Sequence, residues 1–344
     1  IAAGITIDTI AGDDVINAEE AAETNTAITG TVSGDVVAGD QVTLSVNGNS
    51  YTGDVVDDGA GNLGYSIDVL TADLIADNSV EASVTATDAA GNSETATATR
   101  DITADTEIAA GITIDTIAGD DVINAAEAEQ NFTAVSGTVS GDVVAGDQVT
   151  LSVNGNSYTT NVVDDGAGNL SYSTTVATAD LIADNSVEAS VTATDAAGNS
   201  QTATETRDIT VNTDASATIT IDTIAGDDVI NGEEATQTIS VTGSVGGDAQ
   251  AGDTVTLSVG DESYSGQVDA DGNYAIDVPG SVLAENDSIS AEVTGEDAAG
   301  NGYSADADRD YGVDTDASAT ITIDTIAGDD VINGEEATQT ISVT

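Results

Sequence analysis

Histidine, lysine, cysteine, methionine and tryptophan are all missing from these 344 residues. Without His, Cys or Lys there is no ordinary base to activate a serine, so the inventory argues against an enzyme. Without cysteine there are neither disulfides nor thiol chemistry. Proline occurs once, at Pro279, phenylalanine once, and the other aromatics are eight tyrosines. The apolar residues are mostly Val, Ile, Ala and Leu, which suit thin β-branched cores and not a large apolar pocket. Three arginines face 63 acidic side chains, for a formal net charge of -60. A field of that sign repels nucleic acid and anionic lipid and draws in cations, which excludes nucleic-acid partners. No run of 18 or more apolar residues is present and no signal peptide opens the chain, so this segment is not expected to insert directly in a membrane. The chain starts inside its own pattern and without Met, as expected of a piece of a longer protein.

What is present is repetition. The stretch ITIDTIAGDDVIN stands at residues 5–17 and returns unchanged at 112–124, 219–231 and 321–333, at offsets of 107, 107 and 102 residues. Those periods are too long for a solenoid and fit one small domain each. The expected division is 1–103, 104–211 and 212–313, each of the last two with its leading linker, and 314–344 as the start of a fourth repeat. Two strands cannot bury a sandwich core alone, so that last piece is not expected to be a domain by itself.

Within the first repeat, alternating β-branched and polar residues mark strands at 5–8, 27–33, 41–46, 50–56, 63–69, 80–87 and 94–103. Seven short strands closed by Gly, Asn or Asp predict an all-β sandwich, with no helical period competing. Asn47-Gly48 is a two-residue hairpin turn, because both central positions need positive φ. The motif DAAGN closes the last hairpin at Asp88–Asn92 and recurs at Asp195–Asn199 and Asp297–Asn301. The linkers, Ala104-Asp105-Thr106-Glu107, Asn212-Thr213-Asp214 and Asp314-Thr315-Asp316, contain no proline and would hinge freely unless something stiffens them. Arg100, Arg207 and Arg309 share one position on the last strand, each followed by Asp, and are expected to pair locally with a carboxylate near the domain base.

The order IAGDDVIN, then GTVSG at 30–34, then AGDQVTLSVNGNSYT, then VTATDAAGN resembles the bacterial immunoglobulin-like repeats of giant surface adhesins exported by type I secretion in Gram-negative bacteria. The likeness covers all three full repeats. It implies tandem seven-stranded immunoglobulin-like sandwiches in an extended linear array. Such an array is a spacer that holds a distal adhesive domain off the cell, with calcium at the domain junctions. The linkers here lack the proline common in such repeats, and the glycine-rich nonapeptides of those proteins are missing, which places the piece in a repetitive middle region.

Calcium (Ca2+) takes six to eight hard oxygens and needs neither nitrogen nor sulfur, and this sequence offers little else. In an immunoglobulin-like sandwich the loop after the first strand lies at the pole of the outgoing linker, while the DAAGN loop of the next repeat faces it. The first junction therefore draws on Asp13, Asp14, Glu20, Asp101, Asp105, Glu107, Asp195 and Asn199. The second draws on Asp120, Asp121, Glu127, Asp208, Asn212, Asp214, Asp297 and Asn301. The third draws on Asp227, Asp228, Glu234, Asp310, Asp314 and Asp316. Like charges at 4–6 Å repel by about 1 kcal/mol per pair even in water, and a divalent ion reverses that sign.

Plain turn chemistry stands beside this reading, since Asp, Asn and Gly are the preferred turn residues. It applies to DAAGN and to Asp269-Ala-Asp271-Gly272-Asn273, which echoes an EF-hand start without the distal Glu. Adjacent acids such as Asp13-Asp14 or Asp57-Asp58 in a solvated loop are likewise not expected to act as a catalytic dyad. Two alternative functions remain at this level. The repeats themselves bind glycans, although Tyr51, Tyr158 and Tyr264 fit better as cover for the sandwich flank, or the chain makes homotypic contacts as a biofilm matrix fibre.

Overall fold

Alternation of buried and exposed residues, read along each segment, sets the register of the sheets. The computed structural model describes residues 1–344. In the first repeat the strands are β1 (Ala3–Ile5), β2 (Val15–Ile16), β3 (Asn25–Gly34), β4 (Gln41–Val46), β5 (Asn49–Asp54), β6 (Val56–Asp57), β7 (Leu63–Leu70), β8 (Ser79–Thr87), β9 (Ser93–Asp101) and β10 (Thr103–Ala104). One sheet has the order β1-β3-β7-β6 and the other β5-β4-β8-β9, and β2 pairs with β10. All pairs are antiparallel except β2 with β10, which is parallel. This is the two-sheet arrangement of an immunoglobulin-like sandwich. β5 and β6 are one chain path that leaves the β5-β4-β8-β9 sheet at the buried Val55 and joins the β1-β3-β7-β6 sheet.

The chain divides into two compact units. One comprises residues 1–123 and 127–211 and holds the first two repeats; the other comprises 124–126 and 212–344. Each repeat has its own core. In the first, Ile10, Ile16, Ile28, Val42, Leu44, Val69, Leu74, Val80 and Val84 are almost fully buried, each burial stabilising by about 1.5–3 kcal/mol. The second and third repeats rebuild the same core at the matching positions. The third lacks a counterpart of β6, because residues 268–273 replace the longer 55–62 and the chain turns directly back.

The structure departs from the sequence expectations in three places. The expected first strand at 5–8 is shifted, with β1 at Ala3–Ile5, although Thr6 and Asp8 still donate main-chain bonds to Thr31 and Thr29 of β3. Two short helices were not anticipated: α1 (Ala18–Ala21) and α2 (Thr71–Ala76). Four and six residues are too few to show a helical period. α2 is kept by packing, since it has no side-chain cap but buries Thr71 and Leu74. Residues 315–344 contain no strand, only two 3-10 turns, Ile326–Gly328 and Glu336–Thr338, and leave Ile321 93% exposed. Their two strand-like stretches have no sheet to join.

Candidate metal centre

The parallel pairing of β2 with β10 brings the acidic loop at residues 9–20 beside the outgoing linker, as the topology argument expects. Thr103 stands opposite Val15, and Asp105 N donates to Ile16 O at 3.0 Å. The loop then enters α1 through a capping box. Asn17 Oδ1 accepts from Glu19 N and Glu20 N, both at 3.0 Å, and Glu20 Oε2 accepts from Asn17 N at 3.0 Å. Asn followed three residues later by Glu is the sequence signature of that box. It satisfies the second and third helical N–H groups and leaves Ala18 N.

Asp14 sits at φ 69°, in the left-handed region, where Asn and Asp are tolerated. That turn aims its carboxylate back at β9. Arg100 Nε donates to Oδ1 at 2.6 Å and Nη2 to Oδ2 at 2.5 Å, while Nη1 donates to Ile7 O at 3.0 Å. The guanidinium holds the Asp14 carboxyl below the usual carboxylate range, against a partial burial that acts the other way. Arg207 makes the same fork on Asp121, and Arg309 on Asp228, whose pKa is drawn down to about 2. The arginines thus find their carboxylate partners, although across the sandwich and not in the Asp that follows each. Asp14, Asp121 and Asp228, expected as metal ligands, are ion-pair partners with both oxygens engaged.

The DAAGN loops are built alike in all three repeats. Asp88 Oδ1 accepts from Ala90 N and Asn92 N, and Asp88 Oδ2 accepts from Asn92 Nδ2 at 2.8 Å. Asp195 clasps Asn199 in the same way, and Asp297 clasps Asn301. The bonds from these asparagines lower the pKa of each aspartate. Asp58, Asp165 and Asp269 clasp their own loops similarly. So far this is turn chemistry. Asn199 goes further: its Oδ1 accepts from Ala18 N of the first repeat at 2.7 Å, and its Nδ2 donates to Asp105 O of the linker at 2.8 Å. Asn92 is exposed, whereas Asn199 is 5% exposed. Within the second unit Asn301, also 5% exposed, accepts from Ala125 N at 2.7 Å and donates to Asn212 O at 2.9 Å.

At the first junction the predicted residues fall into two groups. Asp13, Glu20 and Asp195 already accept local main-chain or side-chain bonds. Asp101, Asp105 and Glu107 are exposed, and their carboxylates accept no hydrogen bond. The seam gathers Glu20, Asp105, Asp195 and Asn199 through the bonds above, but no three acidic side chains anywhere stand together closely enough to hold a metal ion. The donor chemistry is nonetheless all hard oxygen, suited to calcium.

Of the second set, Asp120, Asp121, Glu127 and Asp208 belong to the first unit, and Asn212, Asp214, Asp297 and Asn301 to the second. Asp120 accepts from Val122 N, and Asn212 Nδ2 donates to Asp297 Oδ2 at 3.0 Å. In the third set Asp227 and Glu234 are occupied as Asp13 and Glu20 are, while Asp310, Asp314 and Asp316 are exposed. Sequence reasoning overlooked Asn17 and the N–H of Ala18. The signal was the Asn-x-x-Glu spacing at 17–20, repeated at 124–127 and 231–234. Tyr51, Tyr158 and Tyr264 pack against the cores as flank cover.

No family model matches the chain, and no curated protein matches it. Solved structures do. A structure from a 1.5-MDa bacterial ice-binding adhesin, described for host cell surface retention, is 40% identical, with 92% of this chain and 98% of that one covered and a TM-score of 0.68. A Ca2+-stabilized adhesin with which an Antarctic bacterium reaches out and binds ice is 46% identical over 99% of this chain and 81% of that one, with a TM-score of 0.60. A single bacterial immunoglobulin-like domain of the M. primoryensis ice-binding adhesin is 43% identical over 29% of this chain and all of that one, with a TM-score of 0.29. With two such relatives matched over 98% and 81% of their lengths, and with the sandwich and its repeats in view, the chain belongs to the bacterial immunoglobulin-like tandem repeats of giant surface adhesins.

Proposed function

We propose that the chain is a spacer in a bacterial cell-surface adhesin, one that works outside the cell by reach and stiffness and whose joints calcium tightens. The observation that carries this reading is the first joint: a loop of the second repeat seats on the end of the first and grips the main chain of a linker stretch that carries the exposed acids Asp101, Asp105 and Glu107. A relative described as Ca2+-stabilized supports the choice of ion. At this joint one or two carboxylates among Asp101, Asp105, Glu107, Asp13, Glu20 and Asp195 would supply oxygens, with main-chain carbonyls and water filling the remaining positions, and the ion would offset the local negative charge. In the sequence, Asp120, Glu127, Asp208, Asp214 and Asp297, and then Asp227, Glu234, Asp310, Asp314 and Asp316, recur at the matching positions of the repeat. Strands of about ten residues rising about 3.3 Å each make a repeat roughly 35–45 Å long.

The reading needs no catalysis. Small-angle scattering of the full chain, first in EGTA and then through a calcium titration, tests it. The expected result is a larger maximum dimension with a narrower spread of conformations as calcium rises. Identical scattering curves in both conditions would remove calcium from the account. Light scattering across concentrations in the same series separates a monomeric spacer from a fibre with homotypic contacts.

A further inference from the structure

We infer that the last residue of the DAAGN loop is a metal-independent latch: Asn199 fixes the joint by reading two main-chain groups of the preceding repeat and its linker. This rests on the spacer reading and adds a second, neutral component to the joint. The first support is complementarity. Ala18 N is the helical N–H that the Asn17 capping box leaves over, and Asp105 O is a linker carbonyl. A carboxamide offers one acceptor oxygen and two N–H donors. Asn199 spends the oxygen on Ala18 N, one donor on Asp105 O and the other on Asp195 Oδ2. No other side chain of this length supplies that set. An aspartate in its place would turn a carboxylate toward Asp195 and a carbonyl, with no donor for either.

The second support is that the latch is blind to side chains. Asn301 makes the same two bonds, to Ala125 N and Asn212 O, so the accepting carbonyl belongs to Asp in one case and Asn in the other. A joint that reads main chain works between any two repeats, as a long array of unequal repeats requires.

The third is preorganisation. The Asp88 clasp holds the exposed Asn92 amide at 2.8 Å, the same distance as Asp195 holds Asn199. The loop is therefore set before it docks, and little further ordering is lost on docking.

Amide hydrogen exchange on the full chain, with Asn199→Asp compared against Asn92→Asp, tests the latch. Both variants break the same internal clasp, but only the first removes the latch. In the wild type the Ala18 amide is expected to be protected in EGTA as well as in calcium. Asn199→Asp should speed its exchange about tenfold or more, and Asn92→Asp should leave it unchanged. Asn199→Ser, neutral but too short to span the two groups, should act like Asn199→Asp and serves if the charged variant unfolds the second repeat. Unprotected Ala18 in wild-type protein, or equal exchange in Asn199→Ser and wild type, overturns the latch. If Ala18 behaves as expected while scattering ignores calcium, the latch stands and the calcium reading falls; the opposite pair of results reverses that.

Discussion

Arg100 grips both oxygens of Asp14 across 86 residues of sequence, Nε to Oδ1 at 2.6 Å and Nη2 to Oδ2 at 2.5 Å. The fork recurs at Arg207 with Asp121 and Arg309 with Asp228, so every basic side chain in the chain is spent on tying the first loop of a repeat to its last strand. Arg100→Lys keeps the charge but loses the planar fork and the bond to Ile7 O. Calorimetry should show the first repeat melting about 5 °C lower, the others unmoved. An unchanged first transition would mean that the fork is incidental.

Acid should undo the same forks. The folded pKa of Asp228 is about 2 against an ordinary 3.8. A depressed carboxylate contributes stability that is complete above the ordinary value and is lost as pH falls through the folded one. Melting of the third repeat should therefore steepen in its pH dependence between about 4 and 2. Arg309→Gln should flatten that window, and a slope equal to wild type would assign the acid loss to other carboxylates.

Gly30 is a position where a side chain has no room. A Cβ there would lie 2.0 Å from Thr6 O and 2.6 Å from Tyr65 Oη, and the counterparts Gly137 and Gly243 meet the same obstacles. Main chain cannot yield as a side-chain tip can, so Gly30→Ala should cost the first repeat about 3 kcal/mol, the upper end for overpacking. Gly64→Ala is the control, because the second repeat carries Ser171 at that place. Equal denaturant midpoints for the two variants would contradict the close approach.

The legible parts of the fold were those written in local chemistry. Asn47 and Gly48 have φ of 48° and 73°, the turn their dipeptide demands. The strand 41–46 was read to the residue, since its apolar positions alternate without interruption. The partner of Arg100 was not legible, because Asp101 lies next to it in sequence, and only the pleat shows that the two side chains leave opposite faces. Asn92 and Asn199 sit in the same five residues, DAAGN, with the same clasp, one in solvent and one buried at a joint. Local sequence therefore cannot tell turn from latch, and the acids expected to form metal sites proved divisible into engaged and unengaged ones only by geometry.

Alkali supplies a separate probe of the core. Tyr65, Tyr172 and Tyr274 donate their hydroxyls to Thr6 O, Thr113 O and Thr220 O, and burial pushes all three pKa values up to about 12. A raised phenol favours the neutral folded form, so its contribution is whole below pH 10 and is lost as pH rises through about 12. Spectrophotometric titration should show these tyrosines ionising only with unfolding. Tyr65→Phe should remove that coupling from the first repeat alone; ionisation in the folded state near pH 10 would argue against it.

The repeats also differ in a way that a mutant cycle can read. Asp73, 8% exposed, accepts from Asn47 Nδ2 at 3.0 Å, Asn49 Nδ2 at 2.8 Å and the Tyr51 hydroxyl, and the Tyr51 bond is the largest cause of its lowered pKa. Asp180 holds Asn154, Asn156 and Tyr158 identically. The third repeat has Gly260, Glu262, Tyr264 and Val282 at those positions, so one face is held by a carboxylate network in two repeats, while in the other Tyr264 and Val282 pack against the core. Removing one member of such a network strands the rest, and the losses do not add. Asp73→Val alone should lower the first repeat's melting by several degrees, and Tyr51→Phe should cost clearly less on that background than in the wild type. Strict additivity, measured by exchange of first-repeat amides, would reduce the network to independent surface bonds.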